Sequence, residues 1–199
     1  MQEKTKLLEA IAGRNRGLRA TEMDRINILT AVEHLEDLNP NPQPLDNQSL
    51  LDGNWRLLYT TSRNLLGLDR FPLIDLGEIY QCIRTTEAKL YNIAEFVGLP
   101  FLDSLVVVVA SFVPVSERRV EVKFERTIIG LQKIIGYRNP NQLIQDLELE
   151  KRFLAVDFGL PQRESLGWLE ITYLDEDLRI GRGSEGSVFV LAKDNYHGQ

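Results

Sequence analysis

From Gly53 onward, apolar and polar residues alternate with a period of two in segment after segment, and glycines, prolines and short acidic clusters separate those segments. Trp55, Leu57 and Tyr59 alternate with Arg56, Leu58 and Thr60; Val120, Val122 and Phe124 alternate with Glu121, Lys123 and Glu125; Leu169, Ile171 and Tyr173 flank Glu170 and Thr172. A period of two puts same-parity side chains on one face of an extended chain, so each segment predicts a half-buried strand. Further strands are expected at Gly77–Arg84, Lys89–Val97, Leu105–Val113, Leu143–Phe153, Leu178–Arg182 and Val188–Ala192. Turn residues fall at Val97–Pro100, Pro114–Arg118, Asp175–Asp177 and Gly183–Gly186. About nine short strands with no regular helices between them predict a sandwich or barrel. The run Leu105–Val109 is apolar at both parities. One of its faces must meet the core, and the other a second apolar surface: the N-terminal helices or a ligand cavity.

The first 39 residues read as helical. Leu7, Leu8 and Ile11 form a short stripe that ends near Gly13. Thr21 is a suitable N-cap for a second helix, with Asp24 at the capping-box position. Met23, Ile26, Leu29, Val32, Leu35 and Leu38 recur at i, i+3 and are expected to pack on the barrel or on the first helix. Residues 40–50, with Pro40, Pro42 and Pro44, read as a semi-rigid linker. The expected organisation is therefore a helical segment (1–39), a Pro-rich linker (40–50), a β domain (51–194) and a disordered tail (195–199).

Composition argues mainly by exclusion. A formal net charge of -6 does not suit a nucleic-acid surface. The single cysteine, Cys82, allows no internal disulfide, and His34, His197 and one thiol make a poor metal set. No cofactor is expected. The segment MQEKTKLLEA lacks the apolar core of a signal peptide, and the longest apolar run, Leu105–Val113, falls far short of a membrane span. The stretch Gly181–Phe189 resembles a phosphate loop but stands between two strands, so a hairpin turn is expected. Ser187 has no nearby base, Asp175 and Asp177 suit a turn better than a metal, and Cys82 reads as a small buried hydrophobe. The chain is thus expected not to be an enzyme. A small barrel has another use, since about eight strands enclose room for one ligand. Trp55, Leu57, Tyr59, Val122, Phe124, Ile171 and Tyr173 are the candidates to face inward and line such a site.

Gly53-x-Trp55 at the start of the first strand is similar to the lipocalin signature. Its surroundings are more specific. LLDGNWRLLYTTSRNLL (Leu50–Leu66), LEDLNPNPQPL before it, KTKLLEAIAGRNRGLRAT (Lys4–Thr21) and ITYLDEDLRIGRGSEGSVFVLAK (Ile171–Lys193) together resemble the plastid lipid-associated protein family, also called fibrillins or plastoglobulins. The resemblance implies a mainly β, α+β fold: a lipocalin-like antiparallel β-barrel of about eight or nine strands preceded by two helices. It implies binding of an apolar molecule of the carotenoid, quinone or fatty acid class. It also implies peripheral contact with thylakoid membranes, on their cytoplasmic side, or with lipid globules, and a role in photoprotection, stress response or prenyl-lipid metabolism. The lack of a visible transit segment suggests a cyanobacterial homologue. In lipocalins the tryptophan closes one barrel end under an arginine from the last strand; with Gly53 and Trp55 in place, Arg179 or Arg182 would fill that role. Arg182 is favoured if Leu178 and Ile180 face the core. The loop Ser62–Pro72 carries Leu65, Leu66, Leu68 and Phe71 as a lid, a membrane-dipping tip or a hold for a protein partner. Two rivals stand beside a lipid carrier: a scaffold for a prenylquinone-synthesis enzyme, and a lyase or isomerase acting on a tetrapyrrole or isoprenoid through Cys82.

Overall fold

The computed structural model describes residues 2–63, 75–98, 102–160 and 166–194. Two helices come first, α1 (Gln2–Ile11) and α2 (Glu22–Glu36). Thr21 caps α2 through a full capping box with Asp24. A 3-10 turn (Pro44–Asp46) and a short helix α3 (Gln48–Leu51) lead into β1 (Gly53–Thr60). Next come β2 (Asp75–Arg84), β3 (Lys89–Val97), β4 (Ser104–Pro114) and β5 (Arg119–Leu131). Two helices, α4 (Gln132–Ile135) and α5 (Pro140–Glu148), precede β6 (Val156–Gly159). The chain closes with β7 (Leu166–Leu174), β8 (Leu178–Gly183) and β9 (Val188–Lys193).

Every strand pairing is antiparallel, and the order β1-β2-β3-β4-β5-β7-β8-β9 returns to β1. The result is an eight-stranded, up-and-down barrel with no free edge in the ring, of the kind expected from the lipocalin-like signature. The ninth strand, β6, pairs with the second half of β5, beyond the stretch that β7 uses.

Leu143–Phe153, expected to be a strand, is mostly helix. Asn139 caps α5 by accepting from the Gln142 N–H at 2.9 Å, and Pro140 occupies its first turn. Leu143, Ile144 and Leu147 then recur at helical spacing and are buried. That start signal outweighs the apolar content on which the strand reading rested.

Three apolar clusters result. One fills part of the barrel, around Trp55, Leu57, Val122 and Ile171. A second lies outside β1, β8 and β9, where α1 and α2 cover Tyr59, Tyr173, Leu178 and Ile180. The third lies outside β2–β5, where α4 and α5 cover Cys82, Ile93, Leu105 and Ile128. The buried face of α2 is Ile28, Val32 and Leu35, whereas Met23, Ile26 and Leu38 of the expected stripe are exposed. The link from α1 to α2 is pinned to β1: the Thr60 N–H donates to the Arg16 carbonyl at 3.0 Å. A Cβ at Gly17, whose φ is +108°, would stand 2.6 Å from the Thr60 oxygen, so glycine is required there.

The Pro-rich segment is more than a spacer. Leu45, Leu50 and Leu51 pack into the barrel cluster and cover one end of it. Asn39 binds both sides of a kink in β7, donating to the Thr172 carbonyl at 3.0 Å and accepting from the Leu174 N–H at 3.1 Å.

Candidate functional site: a cavity with a cationic floor

The barrel has two unlike ends. At the first, the strands start or finish at Gly53, Arg84, Lys89, Leu174, Leu178 and Lys193. Trp55 lies there, wholly buried, its Nε1–H donating to the Leu51 carbonyl at 2.9 Å. The Arg179 guanidinium stands 5.1 Å from the centre of the indole ring, and the Lys193 ammonium stands 5.1 Å from it as well. Lys193 also donates to the Leu50 carbonyl at 2.7 Å, tying β9 to the α3 plug. Gly53 has φ +127°, and a Cβ there would meet the Lys193 stem at 3.2 Å.

Arg179, not Arg182, is the inward arginine. Leu178 and Ile180 belong to the layer under α1 and α2, so the opposite parity of β8 faces the barrel. Arg182 shares the outer parity and makes a fork to Glu36 of α2, at 3.0 and 2.6 Å. The condition that favoured Arg182 fails because the apolar face of β8 is its outer one, under α1 and α2.

Two of the expected lining residues, Tyr59 and Tyr173, also face outward. In β1, Leu57 pairs with Leu191 and Tyr59 with Val190, which leaves Leu58 as an extra residue. In β7, Ile171 pairs with Gly181 and Tyr173 with Ile180, which leaves Thr172 extra. A bulge inserts one residue and reverses the facing of the strand beyond it. Tyr59 and Tyr173 therefore point to the helices, not the interior. Trp55, Leu57, Val122, Phe124 and Ile171 remain in the barrel cluster. Leu65, Leu66, Leu68 and Phe71 lie outside the described residues.

Above the floor a cavity of about 560 Å³ opens toward the other end. Leu57, Ile79, Leu90, Val106, Val108, Val122, Phe124, Phe189 and Leu191 line it, with Ser62, Ser184 and Ser187 toward its mouth. The run Leu105–Val109 now has an explanation. Its odd residues pack in the layer beneath α4 and α5, while Val106 and Val108 line the cavity and are only half-buried. Around the mouth, Leu102, Val156, Phe158 and Leu166 are exposed, Leu166 by 70%.

Besides the three serines, two amide side chains interrupt the apolar lining. Gln81 and Asn92 line the cavity, and the Gln81 Nε2 donates to the Asn92 Oδ1 at 3.1 Å. The Gln81 Oε1 accepts from the Arg179 Nη2 at 2.6 Å. Alternation could have located Gln81, because it stands between Ile79 and Ile83 at the buried parity of β2. Burial pushes the Arg179 guanidinium down to about 9, and burial likewise lowers Lys193.

On the outer wall, a polar hollow of about 310 Å³ lies between Arg56, Glu78, Glu95 and Arg138. The Tyr137 hydroxyl donates to Glu95 there at 2.6 Å, and burial raises the Glu95 carboxyl.

The PAP_fibrillin family profile matches residues 1–192. A light-induced chloroplastic protein of Solanum tuberosum is 33% identical over 96% of this chain and 67% of its own length. A chromoplast-specific carotenoid-associated protein of Cucumis sativus is 33% identical, with the same coverage. A probable plastid-lipid-associated protein 2 of Arabidopsis thaliana is 33% identical over 96% of this chain and 70% of its own length. No solved structure matches the chain.

Proposed function

The chain belongs to the PAP_fibrillin family, and from that premise we propose that it is a non-enzymatic carrier holding one lipid or isoprenoid molecule inside its barrel. One observation carries the reading: the apolar cavity of about 560 Å³, plugged at the Trp55 end and, among the described residues, open toward the other. That volume lies within the ~300–1,000 Å³ usual for small-molecule sites. Removing apolar surface from water drives the uptake. Carotenoids, quinones and fatty acids are the candidate classes, and the names of the relatives favour a lipid-associated role. On this reading the chain works at thylakoid membranes or lipid globules, in photoprotection or prenyl-lipid metabolism. The exposed Leu102, Val156, Phe158 and Leu166 support contact with a lipid surface at the mouth, where a ligand would enter.

A carrier is favoured over a thiol enzyme by the position of Cys82. It is fully buried under α5, and burial pushes its thiol up to about 12, which keeps it protonated.

Purified protein titrated with β-carotene, a short-chain plastoquinone and palmitate, with tryptophan emission as readout, should show saturable one-to-one uptake of at least one class. No saturable uptake, or uptake unchanged by Val108→Trp, would falsify the proposal.

A further inference from the structure

Arg179 is 1% exposed and has no carboxylate against it among the described residues. Its Nη2 is used by Gln81, but its Nε and Nη1 are buried without a hydrogen-bond partner. Buried donors are nearly always satisfied, so two on one charged group call for an explanation. Arg179 borders a small void of about 20 Å³ whose other walls are apolar. Such a space admits roughly one water-sized polar group, given the ~10–15 Å³ that a water needs. Leu90, Val122 and Leu169 border both this void and the large cavity, so the void adjoins the cavity across these three side chains. Lys193 puts a second positive charge near the same indole ring.

We propose that Arg179 receives the carboxylate of an apolar acid, which enters the barrel head first and leaves its chain in the large cavity. The inference rests on the reading of that cavity as a lipid site and specifies the ligand: a long-chain carboxylic acid in preference to a neutral lipid of equal length. The chemistry follows from what the site lacks. A buried cation without a counter-ion is matched best by an anionic oxygen, here one carboxylate oxygen accepting from Nε or Nη1. Neutral carbonyls and hydroxyls could meet the orphan donors but would leave the charge uncompensated. Gln81, held by Asn92, occupies Nη2 and leaves Nε and Nη1, on different edges of the guanidinium, each open to one acceptor.

The test compares palmitate, methyl palmitate and hexadecanol on the full-length protein at pH 8, in low and in 0.5 M salt. The acid should bind about 10- to 100-fold more tightly than the ester or the alcohol, the range of one charge-assisted hydrogen-bond set. High salt should leave that ratio intact, because a buried pair is poorly screened. In a Trp168→Phe background the acid should perturb Trp55 emission more than the ester does. Arg179→Met should bring the acid down to the level of the ester, and the ester itself should change by less than about threefold. If that variant fails to fold, the wild-type ratio and its salt dependence still decide. Equal binding of acid and ester, or a preference that 0.5 M salt abolishes, would overturn the carboxylate site and leave the lipid cavity standing. Failure of all three probes, together with carotene and quinone, would overturn both.

Discussion

Arg179→Met is expected to change folding stability by less than about 2 kcal/mol, although it alters one of the most deeply buried side chains of the barrel. Arg179 contributes a charge-assisted hydrogen bond to Gln81, about 1.5–3 kcal/mol. Its stacking on Trp55 adds about 2 kcal/mol in a desolvated setting. Against these stand two orphaned donors at about 1–3 kcal/mol each. The favourable and unfavourable sums overlap. Methionine keeps an unbranched stem on the indole and regains part of the contact, about 0.3–1.5 kcal/mol. Gln81 keeps its bond to Asn92. Urea unfolding followed by tryptophan emission gives the comparison, with an unchanged m-value as the check that the states are the same. Trp55→Ala is the contrast: it empties a fully buried site and should lose about 3–5 kcal/mol. A loss above about 4 kcal/mol for Arg179→Met would refute the reasoning, because the arginine would then be held for stability, with its open donors met by buried water.

Val108→Trp places a large ring in the cavity from β4, so it should abolish probe uptake while the far-ultraviolet circular dichroism stays that of the wild type. Tyr173→Ala should cost about 3–5 kcal/mol by emptying the layer under α1 and α2, and should leave ligand affinity unchanged; a changed affinity would argue that the residue lines the interior after all. Burial pushes the Asp175 carboxyl up, but hydrogen bonds from Lys4, Tyr173 and the N–H groups of Asp177 and Leu178 outweigh it and hold it below the ordinary 3.8. A depressed acid lends stability that is present above the unfolded value and lost as pH falls through the folded one. Asp175→Asn should therefore flatten the acid limb of the stability profile below about pH 4. Cys82 should react with a thiol reagent only on unfolding, and fast labelling of the native protein would contradict its burial under α5.

The barrel was legible where a strand is apolar on one face only. Val120–Phe124 alternates because its outer residues Glu121 and Lys123 meet water. It was illegible where helices cover the outside. In β8 both Leu178 and Ile180 are buried outward, and the inward positions are Arg179 and two glycines. Hydropathy alone then assigns the faces in reverse. Bulges add a second source of error: parity from Trp55 and Leu57 extends correctly to Tyr59 only if no residue is inserted, and Leu58 is inserted. The β1 strand and the N-cap of α2 were readable because they rest on local chemistry. The contact of Arg179 with Gln81, and through it with Asn92, was not, because β8 is not paired with β2 or β3 and reaches them only across the closed barrel.

The order of these groups along the barrel axis gives the cavity a direction. Among the described residues, exposed leucine, valine and phenylalanine side chains stand toward the mouth end, aliphatic walls come next, then the amides of Gln81 and Asn92, then the cations Arg179 and Lys193 beside Trp55. A purely apolar guest would gain from the walls but would leave the floor charge unmatched. A guest with a polar terminus gains from both, and only when that terminus goes in first. A lipid leaving a bilayer for this mouth with its tail leading would bring its head last and leave it at the apolar rim. Head-first entry from water or from an interface thus agrees better with the gradient. It also implies that uptake of an acid should slow when apolar rim residues are made polar, as in Phe158→Glu, while its equilibrium preference over the ester persists.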